Sequence, residues 1–86
     1  MVRDNPDESR YELVVDGVVA GEILYRRRRD AVVLVHTEVA PQFEGHGLGS
    51  ELVAGALADI RARGLRVVAV CPFVRAYLQR HPEAVA

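Results

Sequence analysis

The stretch Phe43-Glu44-Gly45-His46-Gly47-Leu48-Gly49-Ser50 decides how this chain is read. Its three glycines, at alternate positions, follow a β-branched apolar run and stand directly before a helical pattern. A strand that ends in a glycine-rich turn and restarts as a helix leaves several backbone N–H groups unpaired and pointing one way. Glycine lets the backbone turn tightly and lets a bulky anion approach the main chain. The helix dipole adds partial positive charge at the same place. A phosphate or pyrophosphate is the natural guest of such a turn. The plainer alternative is a tight strand-to-helix connection with no ligand.

Upstream of the turn, Ala31-Val32-Val33-Leu34-Val35-His36-Thr37-Glu38-Val39 reads as a strand. Its near-continuous apolar start predicts burial on both faces, and its polar far end predicts emergence into a site. Tyr11–Val15 and Val18–Arg27 read as two further strands around Asp16-Gly17, a two-residue hairpin signal, with Ile23 and Tyr25 on one face. Residues 1–9 are polar and contain Asn5-Pro6-Asp7-Glu8, so a flexible arm is expected there. Downstream, Leu48, Leu52, Val53, Ala56, Leu57 and Ile60 recur at helical spacing, and Gly64 suits the position just past that helix. Leu65–Cys71 is β-branched and reads as the last strand. Pro72 suits the first position of a helix running to about Arg80, which His81-Pro82 ends. The expected fold is α+β, with mixed α/β layers. A three-strand antiparallel meander is followed by helix, strand and helix, all in a single domain over residues 10–86.

Composition narrows the function classes. A chain of 86 residues, half of them apolar and 27% charged, reads as one small globular domain. Such a chain buries about two-thirds of its unfolded surface, so its core is thin. A net charge of −1 gives no whole-molecule pull toward nucleic acid. The run Arg26-Arg27-Arg28-Arg29 alternates between faces and has acids nearby, so it reads as a solvated hairpin end. One cysteine excludes an internal disulfide and a multi-Cys metal site, and no two histidines lie close enough in sequence to suggest a metal pair. There is no apolar run near the roughly 18 residues of a spanning helix, and the acidic N-terminus is not a signal peptide. The expectation is a soluble, cytoplasmic protein with no metal, nucleic-acid or membrane partner. Its thin core and exposed strand ends are compatible with a homodimer.

The element order, with a glycine turn between third strand and long helix, resembles the GNAT superfamily of N-acetyltransferases. His36-Thr37-Glu38-Val39, Phe43-x-Gly45-x-Gly47-Leu48-Gly49, Cys71-Pro72-Phe73-Val74 and His81-Pro82-Glu83 are similar to its minimal Yjdj-type branch. The resemblance spans about Tyr11 to Glu83. It implies acetyl-CoA as cosubstrate, an amine acceptor, and a pantetheine arm lying between two central strands that splay apart. It also implies that Val39, Gly45, His46, Gly47, Leu48, Gly49 and Ser50 hold the coenzyme, its pyrophosphate on main-chain N–H groups. The superfamily pattern Gln/Arg-x-x-Gly-x-Gly/Ala fits in two registers. The one that matches the helical periodicity puts Glu44 at the Gln/Arg position, where a carboxylate cannot donate to a phosphate. Binding would then rest on backbone donors.

Four side chains are candidates for the chemistry. His36 and Glu38, two apart on a strand, share a face. The resemblance implies that Glu38 is a general base; alternatively the two pair with each other or cap the strand end. Cys71, just before a helix start, reads either as a reactive thiolate or as a small buried hydrophobe. Tyr77 resembles by position the tyrosine that protonates the departing thiolate, and Tyr77 with Phe73 is equally an ordinary i, i+4 core pair. Two functions stay open: direct acetyl transfer to an amine, and a CoA-binding module without catalysis.

Overall fold

The computed structural model describes residues 1–85. The elements run β1 (Val2–Asn5), β2 (Arg10–Val15), β3 (Val18–Arg27), β4 (Ala31–Val39), α1 (Leu48–Ala62), β5 (Arg66–Ala69) and α2 (Pro72–Arg80). The five strands form one sheet in sequence order, antiparallel through β4, with β5 parallel to β4. A parallel pair needs a crossover, and α1 supplies it.

Local chemistry fixes the joints. Asp16 and Gly17 both take positive φ, 49° and 78°, as the tight hairpin between β2 and β3 demands. α1 ends on Gly64 at φ 71°, where Leu65 N–H donates to the Ile60 carbonyl at 3.1 Å and Gly64 N–H to that of Arg61 at 2.9 Å. The buried stripe of α1 (Leu52, Val53, Ala56, Leu57 and Ile60) packs with Leu13, Ile23 and Leu34 from one face of the sheet. Each Leu, Val or Ile among them contributes about 1.5–3 kcal/mol by leaving water. Cys71 and Val74 belong to the same cluster, so both helices cover one face and leave the other open.

The N-terminal segment is not the expected loose arm. β1 pairs with β2 from Val2↔Leu13 to Asn5↔Arg10, so the meander has four strands. Little of its support is apolar, which is why composition concealed it. Asp4 accepts a hydrogen bond from the Tyr25 hydroxyl at 2.6 Å and pairs with Arg63 at 3.2 Å. Burial, then this bond to Asp4, pushes the Tyr25 hydroxyl pKa up to about 12. Gly55 admits the one apolar anchor, because a Cβ there would lie 2.5 Å from Val2 Cγ2.

A second departure lies in β4. Leu24 pairs with His36 and Tyr25 with Leu34, so Val35 is an extra residue. This bulge reverses the alternation. Val32 and Leu34 face the helices before it, and Thr37, paired with buried Ile23, faces them after it. His36 and Glu38 therefore emerge on the helix-free face. Without Val35 as an inserted residue, both would be driven under the helices. The expected burial of early β4 holds at Ala31 through Leu34, and the polar far end is exposed at His36 and Glu38.

β5 is shorter than its sequence suggests. Pairing with β4 runs only from Ala31↔Arg66 to Leu34↔Ala69. Val70 and Cys71 N–H groups then converge on the single Leu34 carbonyl, at 3.0 and 2.9 Å. Beyond that point the bulged strand leaves and the two central strands splay.

Candidate active site

The glycine turn follows a 3-10 turn, Pro41–Phe43, and delivers α1 at Leu48, as the register with Glu44 at the Gln/Arg position requires. Gly45 and Gly47 adopt φ of 83° and 70°, in the left-handed region that favours glycine. An added Cβ at either would meet nothing within 4 Å, so the space above them is open to a ligand. Phe43 and Glu44 N–H groups close the 3-10 turn on Ala40 and Pro41 carbonyls, and Glu51 N–H bonds to Gly47. The N–H groups of Gly45 through Ser50 have no acceptor among the described residues. No side chain caps the helix at Gly47. This 15-residue helix thus presents an uncapped, partially positive end.

A cavity of about 280 Å³ opens over this end, lined by the glycines, Val39, Phe43, Leu48, Ser50 and Phe73. Gly49 is there for a different reason from its neighbours. It is buried, and a Cβ on it would lie 2.8 Å from the Phe73 ring. Phe73 is 40% exposed and forms a wall of the cavity; it is not Tyr77's core partner. Tyr77 is half-buried and instead stacks on His81, ring centres 4.5 Å apart. His46 is exposed in the turn with no partner among the described residues. Glu44 is exposed on the rim, where its charge opposes an anion.

At the mouth of the splay, Thr37 Oγ1 lies 3.3 Å from Cys71 Sγ, bridging the parted strands. Cys71 is 3% exposed, and this burial opposes its ionisation. The Thr37 hydroxyl and the helix-start amides of Val74 and Phe73 outweigh it, holding the thiol pKa below its ordinary value. Thr37 was not legible as a site residue, since simple alternation would turn it away from Cys71.

Glu38 and His36 lie across the sheet from this pair, exposed and not bonded to each other. Glu38 lines a groove of about 570 Å³ with Gly21, Thr37, Pro41 and Glu44. The structure thus gathers Val39, Gly45 and residues 47–50 in one cavity whose lining leaves out His46, with Cys71 beside the splay and Glu38 on its far side. Among the described residues no group of three or more potential ligands could hold a metal, and no helix is long and apolar enough to cross a membrane.

The family model for GCN5-related N-acetyltransferases matches residues 10–86. The chain belongs to that family. A GCN5-like protein of Staphylococcus aureus that carries an N-acetyltransferase assignment has a similar solution structure, with a TM-score of 0.72 at 21% identity. The superposition covers 98% of this chain and 82% of that one, and at this identity it speaks to the fold alone. No curated protein matches this chain in sequence. Membership of the family makes this GCN5-related protein an acetyltransferase by type.

Proposed function

We propose that this GCN5-related protein transfers the acetyl group of acetyl-CoA to an amine. The observation that carries this reading is the run of unsatisfied N–H groups from Gly45 to Ser50, opening beside the β4–β5 splay. A pyrophosphate fits there because the glycines leave room for it and the helix end favours negative charge. Acetyl-CoA, as substrate, supplies an activated thioester. The slot between β4 and β5 suits its pantetheine arm, and a slot can be approached from both faces of the sheet.

The residues divide accordingly. On the helix-free face, Glu38 takes the proton of an incoming ammonium, with His36 as a second titratable group nearby. The free amine then attacks the thioester carbonyl. Beyond Leu34, the β4 N–H groups that point away from β3 have no β5 partner, and those near Val39 suit the developing oxyanion. The carbon–sulfur bond breaks on the helix side, where Cys71 and Tyr77 are the candidates to meet the departing thiolate. Transfer is direct, with no acetyl group on Cys71.

The test is thiol release from acetyl-CoA against a panel of primary amines, with intact-protein mass spectrometry alongside. Amine-dependent release without an adduct on the protein supports direct transfer. CoA binding without any release would make the protein a coenzyme-binding module. An adduct 42 Da heavier (one acetyl group) that disappears on adding an amine would make Cys71 the nucleophile.

A further inference from the structure

We propose that Glu44 selects the acceptor: the amine acetylated by this protein carries a second positive charge, and Glu44 binds it. This selection rests on the transfer reading above, with Glu38 as the base, and adds the acceptor's chemical class. The groove that Glu38 lines is about 570 Å³, within the roughly 300–1,000 Å³ of small-molecule sites. Ala20, Gly21, Ala40 and Pro41 give it a short, uncharged lining. Glu38 and Glu44 are the two charged groups that line it, and no basic side chain does.

The neighbouring charges leave these two carboxylates uncompensated. One cross-strand row of the helix-free face runs Arg3, Glu12, Glu22, Glu38. Arg3 Nε holds Glu12 at 2.8 Å and Arg10 Nε holds it at 2.7 Å, while Arg10 Nη1 reaches Glu22 at 3.4 Å. Two guanidinium groups therefore balance Glu12 and Glu22. Glu38, the last member of the row, has no ion pair or hydrogen bond among the described residues, and neither has Glu44. A single ammonium in the groove would offset one of the two charges. An amine with a second cationic end offsets both.

The place of Glu44 points the same way. It lines this groove and also the cavity over the start of α1, so it stands in the wall between them. Toward the coenzyme cavity its charge opposes an anion. It does not cap α1 either, because no side chain caps that helix. Toward the groove the same charge attracts a cation. The ammonium at Glu38 gives up its proton and reacts; the one at Glu44 stays charged throughout. Glu44 is thus a specificity residue, and its effect belongs in KM more than in kcat.

Putrescine, butylamine and γ-aminobutyrate are chains of equal carbon number whose far ends are an ammonium, a methyl and a carboxylate. At saturating acetyl-CoA, kcat/KM for putrescine should exceed that for butylamine about fivefold, after the statistical factor for two equivalent ends. The gain should lie in KM and shrink with added salt, and γ-aminobutyrate should be the poorest acceptor. Glu44→Gln should remove most of the preference for putrescine. Titration of the coenzyme-free protein with the same amines, followed by the amide resonances of Glu38 and Glu44, reads the same preference without any turnover. Equal kcat/KM for putrescine and butylamine overturns the proposal and leaves acetyl transfer standing. So does a preference that survives in Glu44→Gln. If no amine is acetylated, the transfer reading fails and the titration alone decides: tighter, Glu44-dependent binding of putrescine supports a dication site, and equal binding overturns it.

Discussion

Thr37 and Cys71 face each other at 3.3 Å across the point where β4 and β5 part, a side-chain bond joining those two strands' diverging ends. Two backbone events create it. The bulge at Val35 turns Thr37 toward the helices, and the end of pairing at Ala69 brings Cys71 to the start of α2. Thr37→Val removes the hydroxyl at nearly constant shape. The rate of Cys71 alkylation should then rise only at higher pH than in wild type, while Thr37→Ser should retain the wild-type profile. The stability change should stay near 1 kcal/mol, the net worth of one hydrogen bond. An unshifted alkylation profile for Thr37→Val would leave the hydroxyl without influence on the thiol.

Gly55→Ala should destabilise the domain although alanine is the better helix former. The helix gains about 1 kcal/mol from the exchange. Against this, the new Cβ would stand 2.5 Å from Val2 Cγ2 and 2.7 Å from Val2 Cβ, and overpacking of this kind costs about 1–3 kcal/mol. Amide exchange locates the damage. The Val14 N–H, bonded to the Met1 carbonyl at 2.8 Å, should lose protection while the α1 core keeps its own. Undiminished protection at Val14 would show that β1 does not depend on this contact.

Glu12 should make the fold acid-sensitive. Its side chain is 1% exposed, and the Asn5 amide, then Arg3 and Arg10, hold its carboxyl pKa down at about 2 from 4.5. A carboxylate depressed on folding stabilises above its unfolded pKa and loses that contribution as pH falls through the folded one. The window is therefore pH 4.5 down to 2. The loss should be about 1–2 kcal/mol, discounted because Arg3, one of the three groups over Glu12, is itself half-exposed. Denaturant melts across this window should show it, and Glu12→Gln should flatten the dependence while lowering stability at pH 7.

Glu38→Gln separates chemistry from coenzyme binding. The amide keeps the shape but accepts no proton. Turnover near neutral pH should fall about 100-fold with CoA affinity unchanged, and the defect should shrink as pH rises and frees the amine. A turnover defect of the same size at every pH would argue against Glu38 as the base.

Much of this molecule was legible because the signals were local. Asp16-Gly17, Gly64 and Pro72 each mark a joint through backbone conformation alone, and the period of Leu52 to Ile60 fixes the buried face of α1. What stayed hidden depends on partners far along the chain. β1 is held by Tyr25, Arg63 and a helical glycine, none of which its own residues announce. The face of Thr37 depends on one inserted residue, Val35, that no periodicity reveals. Phe73 looked like core because its spacing to Tyr77 is helical, yet the absent Cβ of Gly49 draws it to the cavity over the start of α1. The mid-helix position of Gly55 was the available clue to a close neighbour.

Calorimetric titration of acetyl-CoA into wild type and Gly47→Val tests the phosphate cradle most directly. Valine at φ 70° is strained by about 1–2 kcal/mol, and its side chain enters the open space above the turn. Wild type should bind one acetyl-CoA per chain, and the variant, folded by circular dichroism, should bind at least about 30-fold more weakly, a loss of ~2 kcal/mol. Equal affinity in the folded variant, or no binding by wild type, would contradict a coenzyme held on the backbone of Gly45 to Ser50.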